Sequence, residues 1–197
     1  MSWKRTAIVV TMSVTLGGAA HAAGKVTITP PPVPSNLEVD PRFEPFLVRH
    51  AYGTQNYICV PAATPTGGDW LFLGPQATVF KADGEQDLTH FLSKNPFKDN
   101  ALHATWQHSG DTSIVWATKY QGSTDSAYVA PGAIEWLLLE RTGAQVGPFG
   151  GRKLATTTLI QRVHTVGGVA PPAAECTVST VNTRKFVPYE ADYYFYE

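Results

Sequence analysis

The chain has no run of four or more basic residues, and its 15 Lys and Arg are balanced by 16 Asp and Glu. A nucleic-acid-binding face needs concentrated positive charge, so this composition predicts that nucleic acid is not a partner. Attraction to an anionic lipid surface is weak for the same reason.

The motifs of several enzyme classes are also missing. There is no nucleotide-binding Gly-x-Gly-x-x-Gly, no Gly-x-Ser-x-Gly elbow and no His-Glu-x-x-His. Gly147-Pro148-Phe149-Gly150-Gly151 lacks the Lys-Ser/Thr end of a phosphate loop, and His103 and His108 have no third ligand at a recognisable spacing. We therefore expect no cofactor, no metal and no NAD-dependent dehydrogenase activity. A catalytic triad assembled only in three dimensions stays open.

The N-terminal segment, residues 1–22, has the features of a secretory signal peptide. Lys4 and Arg5 form a positive start, an apolar stretch runs from Thr6 to Ala19, and Ala20-His21-Ala22 has the small residues that signal peptidase recognises. The stretch is too short to span a bilayer. We expect cleavage before Ala23, a secreted or periplasmic protein, and no membrane span in the mature form. An N-terminal strand or a membrane anchor is the alternative.

Cysteine is scarce, with two residues in the chain, Cys59 and Cys176. Both lie beyond the predicted cleavage site, and an even pair in an oxidising compartment is normally oxidised. The sequence therefore predicts one disulfide. Two buried free thiols or a lone metal-binding pair are the alternatives.

Proline is concentrated after the cleavage site, and this region, residues 23–54, is predicted to be an extended lead-in laid over the surface. From Gln55 onward, short apolar runs are broken by turn residues about every ten positions, which is typical of a sandwich or barrel. Asp83-Gly84 and Ser109-Gly110-Asp111 predict hairpins. The segment 87–94 is interpreted as a strand or a single helical turn. We predict that residues 55–197 form one all-β domain, an antiparallel β-sandwich or jelly-roll.

The C-terminal residues show a clear two-residue period. Tyr189, Tyr193 and Phe195 fall on one face of a strand, and Tyr194 and Tyr196 fall on the other. We expect this strand to be central to the fold. The apolar runs 134–139 and 155–165 also predict central strands.

Candidate binding residues come from charges and aromatics within the predicted strands. Arg162 and Glu135 interrupt apolar runs, so each needs a partner, and they are expected to pair with each other or to face outward. Exposed aromatic rings on a sheet could bind a sugar or a protein; the candidates are Trp106, Trp116, Tyr194 and Tyr196. Core and sheet packing is the favoured interpretation of these rings, because Trp and Tyr are common strand residues.

Several segments stand in a recurrent order and spacing: Gln55 to Cys59, Trp136-Leu137-Leu138-Leu139, Leu159 to Pro171, Cys176, and Val187 to Tyr196. Together they resemble the secreted bacterial and fungal domain-of-unknown-function family 3455. The chain departs from that family's pattern at Glu135, where proline is typical, and at His164, where asparagine is usual. The resemblance implies no established mechanism, and the malate dehydrogenase label of some fungal members does not transfer to a chain without the glycine fingerprint.

These observations favour an exported, non-catalytic binding or structural module with an unidentified ligand or cell-surface partner. A secreted hydrolase is one alternative, and it would need a concave pocket with converging titratable groups. A self-assembling surface protein is the other, and it would associate through the Pro-rich arm or an open sheet edge.

Overall fold

A computed structural model describes residues 27–62 and 67–197, so the predicted signal peptide and its cleavage site lie outside the described residues. The described chain forms eight strands, each pairing antiparallel with the next. The strands are β1 Pro45–Pro61, β2 Gly68–Phe80, β3 Gln86–Lys94, β4 Leu102–His108, β5 Ile114–Ser123, β6 Trp136–Gln145, β7 Leu159–Gly167 and β8 Arg184–Tyr196.

The sheet closes on itself, because β8 pairs with β1 from Pro45 opposite Tyr196 to Ile58 opposite Arg184. The all-β, antiparallel part of the prediction is confirmed, but the β-sandwich or jelly-roll is wrong, since the fold is a closed barrel. A sandwich and a barrel have the same strand and turn signals, and they differ only in whether the first and last strands meet.

The predicted hairpins at Asp83-Gly84 and Ser109-Gly110-Asp111 connect β2 to β3 and β4 to β5. Segment 87–94 belongs to β3, which confirms the strand interpretation. The first strand begins at Pro45, so the predicted boundary at residue 55 lies ten residues too late.

The lead-in, as far as residues 27–44 show it, lies along the outside of the barrel. Leu37, in the 3₁₀ turn Ser35–Leu37, is fully buried. Gln161 donates a side-chain hydrogen bond to the Leu37 carbonyl at 2.6 Å, and Asn36 donates one to the Gly122 carbonyl. The apolar residues that pack beneath this segment come mainly from β6, β7 and β8: Trp136, Leu138, Val163, Tyr194 and Tyr196.

This cover buries both faces of parts of β6, β7 and β8, including Trp136 to Leu139. Leu137 and Leu139 point into the barrel core, while Trp136 and Leu138 pack beneath the lead-in. A strand with two buried faces needs apolar residues at successive positions. The double cover therefore explains why Trp136 to Leu139 is a continuous apolar run.

One end of the barrel, which we call the base, is filled by a polar network. Arg49 and His108 both contact the Asp87 carboxylate, and His108 also contacts Asp111. Burial opposes ionisation of Asp111, but hydrogen bonds from Ser113, the Lys153 N–H and His108 together lower its pKa. The interior near the base is thus occupied by paired charges and packed side chains.

Candidate functional site

A cavity of about 200 Å³ lies inside the barrel, toward the end opposite the base. This end, which we call the mouth, carries the β1–β2, β3–β4, β5–β6 and β7–β8 connections. A shallow depression adjoins the cavity at the mouth and shares Gln55, Phe72, Leu137 and Arg162 with it. The other cavity-lining residues are Pro75, His90, Leu92, Leu102, His103, Ala104, Trp106, Ala117, Thr118, Lys119, Leu139 and Tyr193.

Small side chains create this space. Ala104 and Ala117 are direct partners across β4 and β5, and both line the cavity. An eight-stranded barrel is just wide enough for side chains to fill it or for one small ligand to enter. Two facing alanines beside Trp106 and Leu139 therefore leave room that larger side chains would occupy.

Three residues that line the cavity carry a buried hydrogen-bond donor that has no partner. In the described part of the chain, five buried side-chain N or O atoms lack one, and three of them belong to cavity-lining residues: Gln55 Nε2, Trp106 Nε1 and Arg162 Nε. A buried unpaired donor costs about 1 to 3 kcal/mol, so three around one cavity are unusual for purely structural residues.

Arg162 supplies the net charge of the cavity. It lies on β7 opposite Leu137 and Tyr193, and its Nη2 donates to the backbone carbonyl of Glu135 at 2.9 Å. Among residues 27–62 and 67–197 it makes no ion pair. The Glu135 carboxylate instead accepts hydrogen bonds from Lys119 at 2.7 and 2.9 Å, so that pair is neutral overall.

A neutral aromatic cluster forms the deep wall. The His90 ring stacks on Trp106 with centroids 4.1 Å apart and meets the edge of Tyr193. Burial, opposed by a hydrogen bond to Thr105 and aided by the charge of Arg162, lowers the pKa of His90 to about 3. Because the Thr105 carbonyl can only accept, Nδ1 carries the ring hydrogen. Burial also raises the pKa of Tyr193, so both groups are uncharged at neutral pH.

The candidate residues from the sequence separate into two groups. Arg162 and Trp106 line the cavity, and Glu135 lines the adjoining depression. Arg162 and Glu135 do meet, but through the Glu135 backbone carbonyl and not through its carboxylate.

The four aromatic candidates are all buried, as core and sheet packing requires, so they form no exposed binding surface. Trp106 lies in the barrel interior, and Trp116 donates to Ser93 Oγ and packs edge-on against Phe97. Tyr194 and Tyr196 lie beneath the lead-in.

Gln55 and His90 are cavity residues that sequence reasoning did not single out as binding residues. Gln55 lies on the inward face of β1. The buried residues Leu47 and Ala51 lie on the same face. A polar residue on an otherwise apolar face was the available signal, and it becomes visible only once the start of β1 at Pro45 is known.

His103 and His108 do not meet. His103 contacts Thr142 near the mouth, while His108 belongs to the network at the base. Within the described ranges, no group of three or more His, Cys, Asp or Glu residues has a geometry that could hold a metal ion. In those same ranges no helix is long and apolar enough to cross a membrane.

Comparison with known proteins gives a family and no function. No curated protein and no solved structure matches the chain. The model of a family described as "Protein of unknown function (DUF3455)" matches residues 41–197, which include all eight strands and every cavity residue. The chain therefore belongs to the DUF3455 family.

Proposed function

We propose that this protein is an exported, non-catalytic binding module that holds one small molecule inside its barrel, with entry at the mouth. The observation that carries the proposal is a mostly apolar cavity of about 200 Å³, three of whose lining residues carry a buried donor without a partner. Apolar walls with a few convergent polar groups are typical of small-molecule sites.

The composition of the cavity wall favours binding over catalysis. No carboxylate, serine or cysteine side chain from the described residues lines the cavity, and Lys119, another possible nucleophile there, is ion-paired with Glu135. His90, with a pKa of about 3, is a poor general base near neutral pH. The hydrolase alternative thus lacks the converging acid and base groups that it requires.

Self-assembly has less support. Residues 27–44 of the lead-in pack on the chain's own barrel, and closure leaves the eight described strands without an open edge. An arm or edge available to a neighbouring copy was the basis of that alternative.

Export is tested at the N-terminus. We expect protein recovered from the periplasm or medium to begin at Ala23, because the charged start, short apolar stretch and Ala20-His21-Ala22 occur together. N-terminal sequencing checks this. An intact Met1 in the exported protein would contradict the prediction.

Cavity binding is tested by filling the space between β4 and β5. We expect benzyl alcohol to bind the native protein saturably with one site in isothermal titration calorimetry, since cavities of ~150 Å³ accept a benzene ring. Ala117→Phe places a ring where the ligand would sit, so affinity should fall at least tenfold.

Ala82→Phe is the matched control, because Ala82 is exposed in the β2–β3 turn at the base, and its affinity should equal that of the parent. Ala104→Leu provides a milder filling variant if Ala117→Phe melts early. Absence of saturable binding, or equal binding by the filled variants, would disprove the proposed function.

A further inference from the structure

The geometry points to a ligand class: we infer that the cavity binds a small monocarboxylate with an apolar, ring-sized body, its carboxylate held by Arg162 and Gln55 near the mouth. This inference rests on the proposed function and specifies the ligand of the same site.

The net charge of the cavity favours a ligand with one negative charge. Arg162 is the one lining cation without a carboxylate partner in the described part of the chain, because Lys119 is neutralised by Glu135. His90 is uncharged at neutral pH. The cavity therefore carries a net charge of about +1, and a charge in mostly apolar surroundings is stabilised by an opposite one. A dianion would bring a second charge for which the wall offers no partner.

The free donors match the shape of a carboxylate. Arg162 Nε has no partner, and Nη2 donates to the Glu135 carbonyl. The Nε and Nη2 hydrogens of a guanidinium form a planar fork that fits the two oxygens of a carboxylate. Gln55, which lines the same cavity, carries another buried donor without a partner, Nε2.

The positions of the lining residues determine how the ligand is oriented in the cavity. Gln55 and Arg162 line both the cavity and the depression at the mouth, whereas Trp106, Ala117 and Leu139 line the cavity beyond it. The carboxylate should therefore lie toward the mouth and the apolar body toward Trp106. A volume of about 200 Å³ equals roughly seven liquid waters at ~30 Å³ each, which suits one six-membered ring with a short carboxylate arm.

The test compares phenylacetate with its neutral amide, phenylacetamide, by titration calorimetry at low salt. We expect the native protein to bind the acid at least tenfold more tightly than the amide. The dianion succinate should bind at least tenfold more weakly than phenylacetate. In Arg162→Met, the acid-to-amide preference should fall below threefold, and in Gln55→Leu it should fall severalfold.

Arg152→Met is the control for net charge, because Arg152 is exposed in the β6–β7 connection at the base, and it should keep the full preference. Arg162→Lys retains the charge without the fork and should give an intermediate preference, which keeps the test usable if Arg162→Met does not fold. A structural Arg162 would instead leave the preference intact and lower the melting temperature.

The outcomes separate this inference from the proposed function. If benzyl alcohol binds in an Ala117-dependent way while acid and amide bind equally, the proposed function stands and the monocarboxylate inference is wrong. A full preference surviving in Arg162→Met would also overturn it. If benzyl alcohol does not bind at all, the proposed function itself fails.

Discussion

Truncating the chain after Val187 should abolish cooperative thermal unfolding, because residues 188–197 contain most of β8, the strand that closes the barrel. The deletion removes the inward aromatics Tyr189, Tyr193 and Phe195 and the outward Tyr194 and Tyr196. Each buried ring of ~150 to 250 Å² contributes on the order of 4 to 6 kcal/mol at ~25 cal/mol per Å². The sum exceeds the ~5 to 15 kcal/mol net stability of a typical domain.

The deletion would also expose the edges of β1 and β7, so the truncated protein should aggregate as well as lose its near-ultraviolet circular dichroism. A truncated chain that melts cooperatively at the parent temperature would show that β8 is dispensable.

Two phenylalanines on β8 provide a matched pair for the same test. Phe195 is completely buried, whereas Phe186 is 59% exposed. Phe195→Ala should lower the free energy of unfolding by about 3 to 5 kcal/mol, and Phe186→Ala should change it by no more than about 0.5 kcal/mol. Equal losses from the two substitutions would mean that the inward register of β8 is incorrect.

The inward face of β8 and the two hairpins could be predicted because their signals are local. Alternation from Tyr189 to Phe195 specifies a strand with one apolar face, and Asp83-Gly84 provides a favoured hairpin turn. Neither signal depends on where distant parts of the chain lie.

Barrel closure could not be predicted, because it depends on pairing between residues near opposite ends of the chain. Pro45 opposite Tyr196 is a contact that no local pattern specifies. Whether the face of Tyr194 is covered was undetermined for a similar reason, since its cover comes from Val33, Leu37 and their neighbours in the lead-in. The proline content of the lead-in indicates that it is extended, but it does not indicate which strands the lead-in covers.

The candidate site was predictable only where a residue broke a local pattern. Arg162 stood out as a charge within an apolar run, and it is central to the cavity. Trp106 was a candidate as a possible exposed ring beside a hairpin, and it lines the cavity from inside the barrel. The space between Ala104 and Ala117 follows from their cross-strand pairing, so no single residue could indicate it.

The backbone at His164 is unusual for a strand. His164 has φ = 49°, in the left-handed region where histidine, asparagine and aspartate occur more often than most other residues. The strand pairing of β7 and β8 is irregular between Val163 and Val166, so this backbone conformation belongs to a bulge. The His164 side chain contacts Asp192 across the strand pair.

The bridge between Cys59 and Cys176, whose Cα atoms lie 5.4 Å apart, confirms the predicted disulfide. It joins β1 to the β7–β8 connection, in which Asn182 donates a backbone hydrogen bond to the Cys59 carbonyl. The same connection holds Gly168, whose carbonyl accepts from the Tyr57 hydroxyl beside the depression at the mouth. The bridge therefore fixes one wall of the proposed ligand entrance.

Replacing both cysteines with serine should lower the free energy of unfolding by roughly 2 to 5 kcal/mol. The bridge spans 117 positions, and on the chain-entropy model closing so long a loop removes about 5 kcal/mol of unfolded-state freedom, with native strain reducing that figure. Urea unfolding of the double variant and of the reduced parent measures the loss.

The single variants Cys59→Ser and Cys176→Ser provide the control for packing, because either one alone already breaks the bridge. If loss of the disulfide causes the destabilisation, each single variant should lose nearly as much stability as the double variant. Losses that instead add up across the two sites would assign the effect to the packing of two buried side chains. An unchanged urea midpoint in the double variant would show that the barrel and the lead-in hold the β7–β8 connection in place without the disulfide.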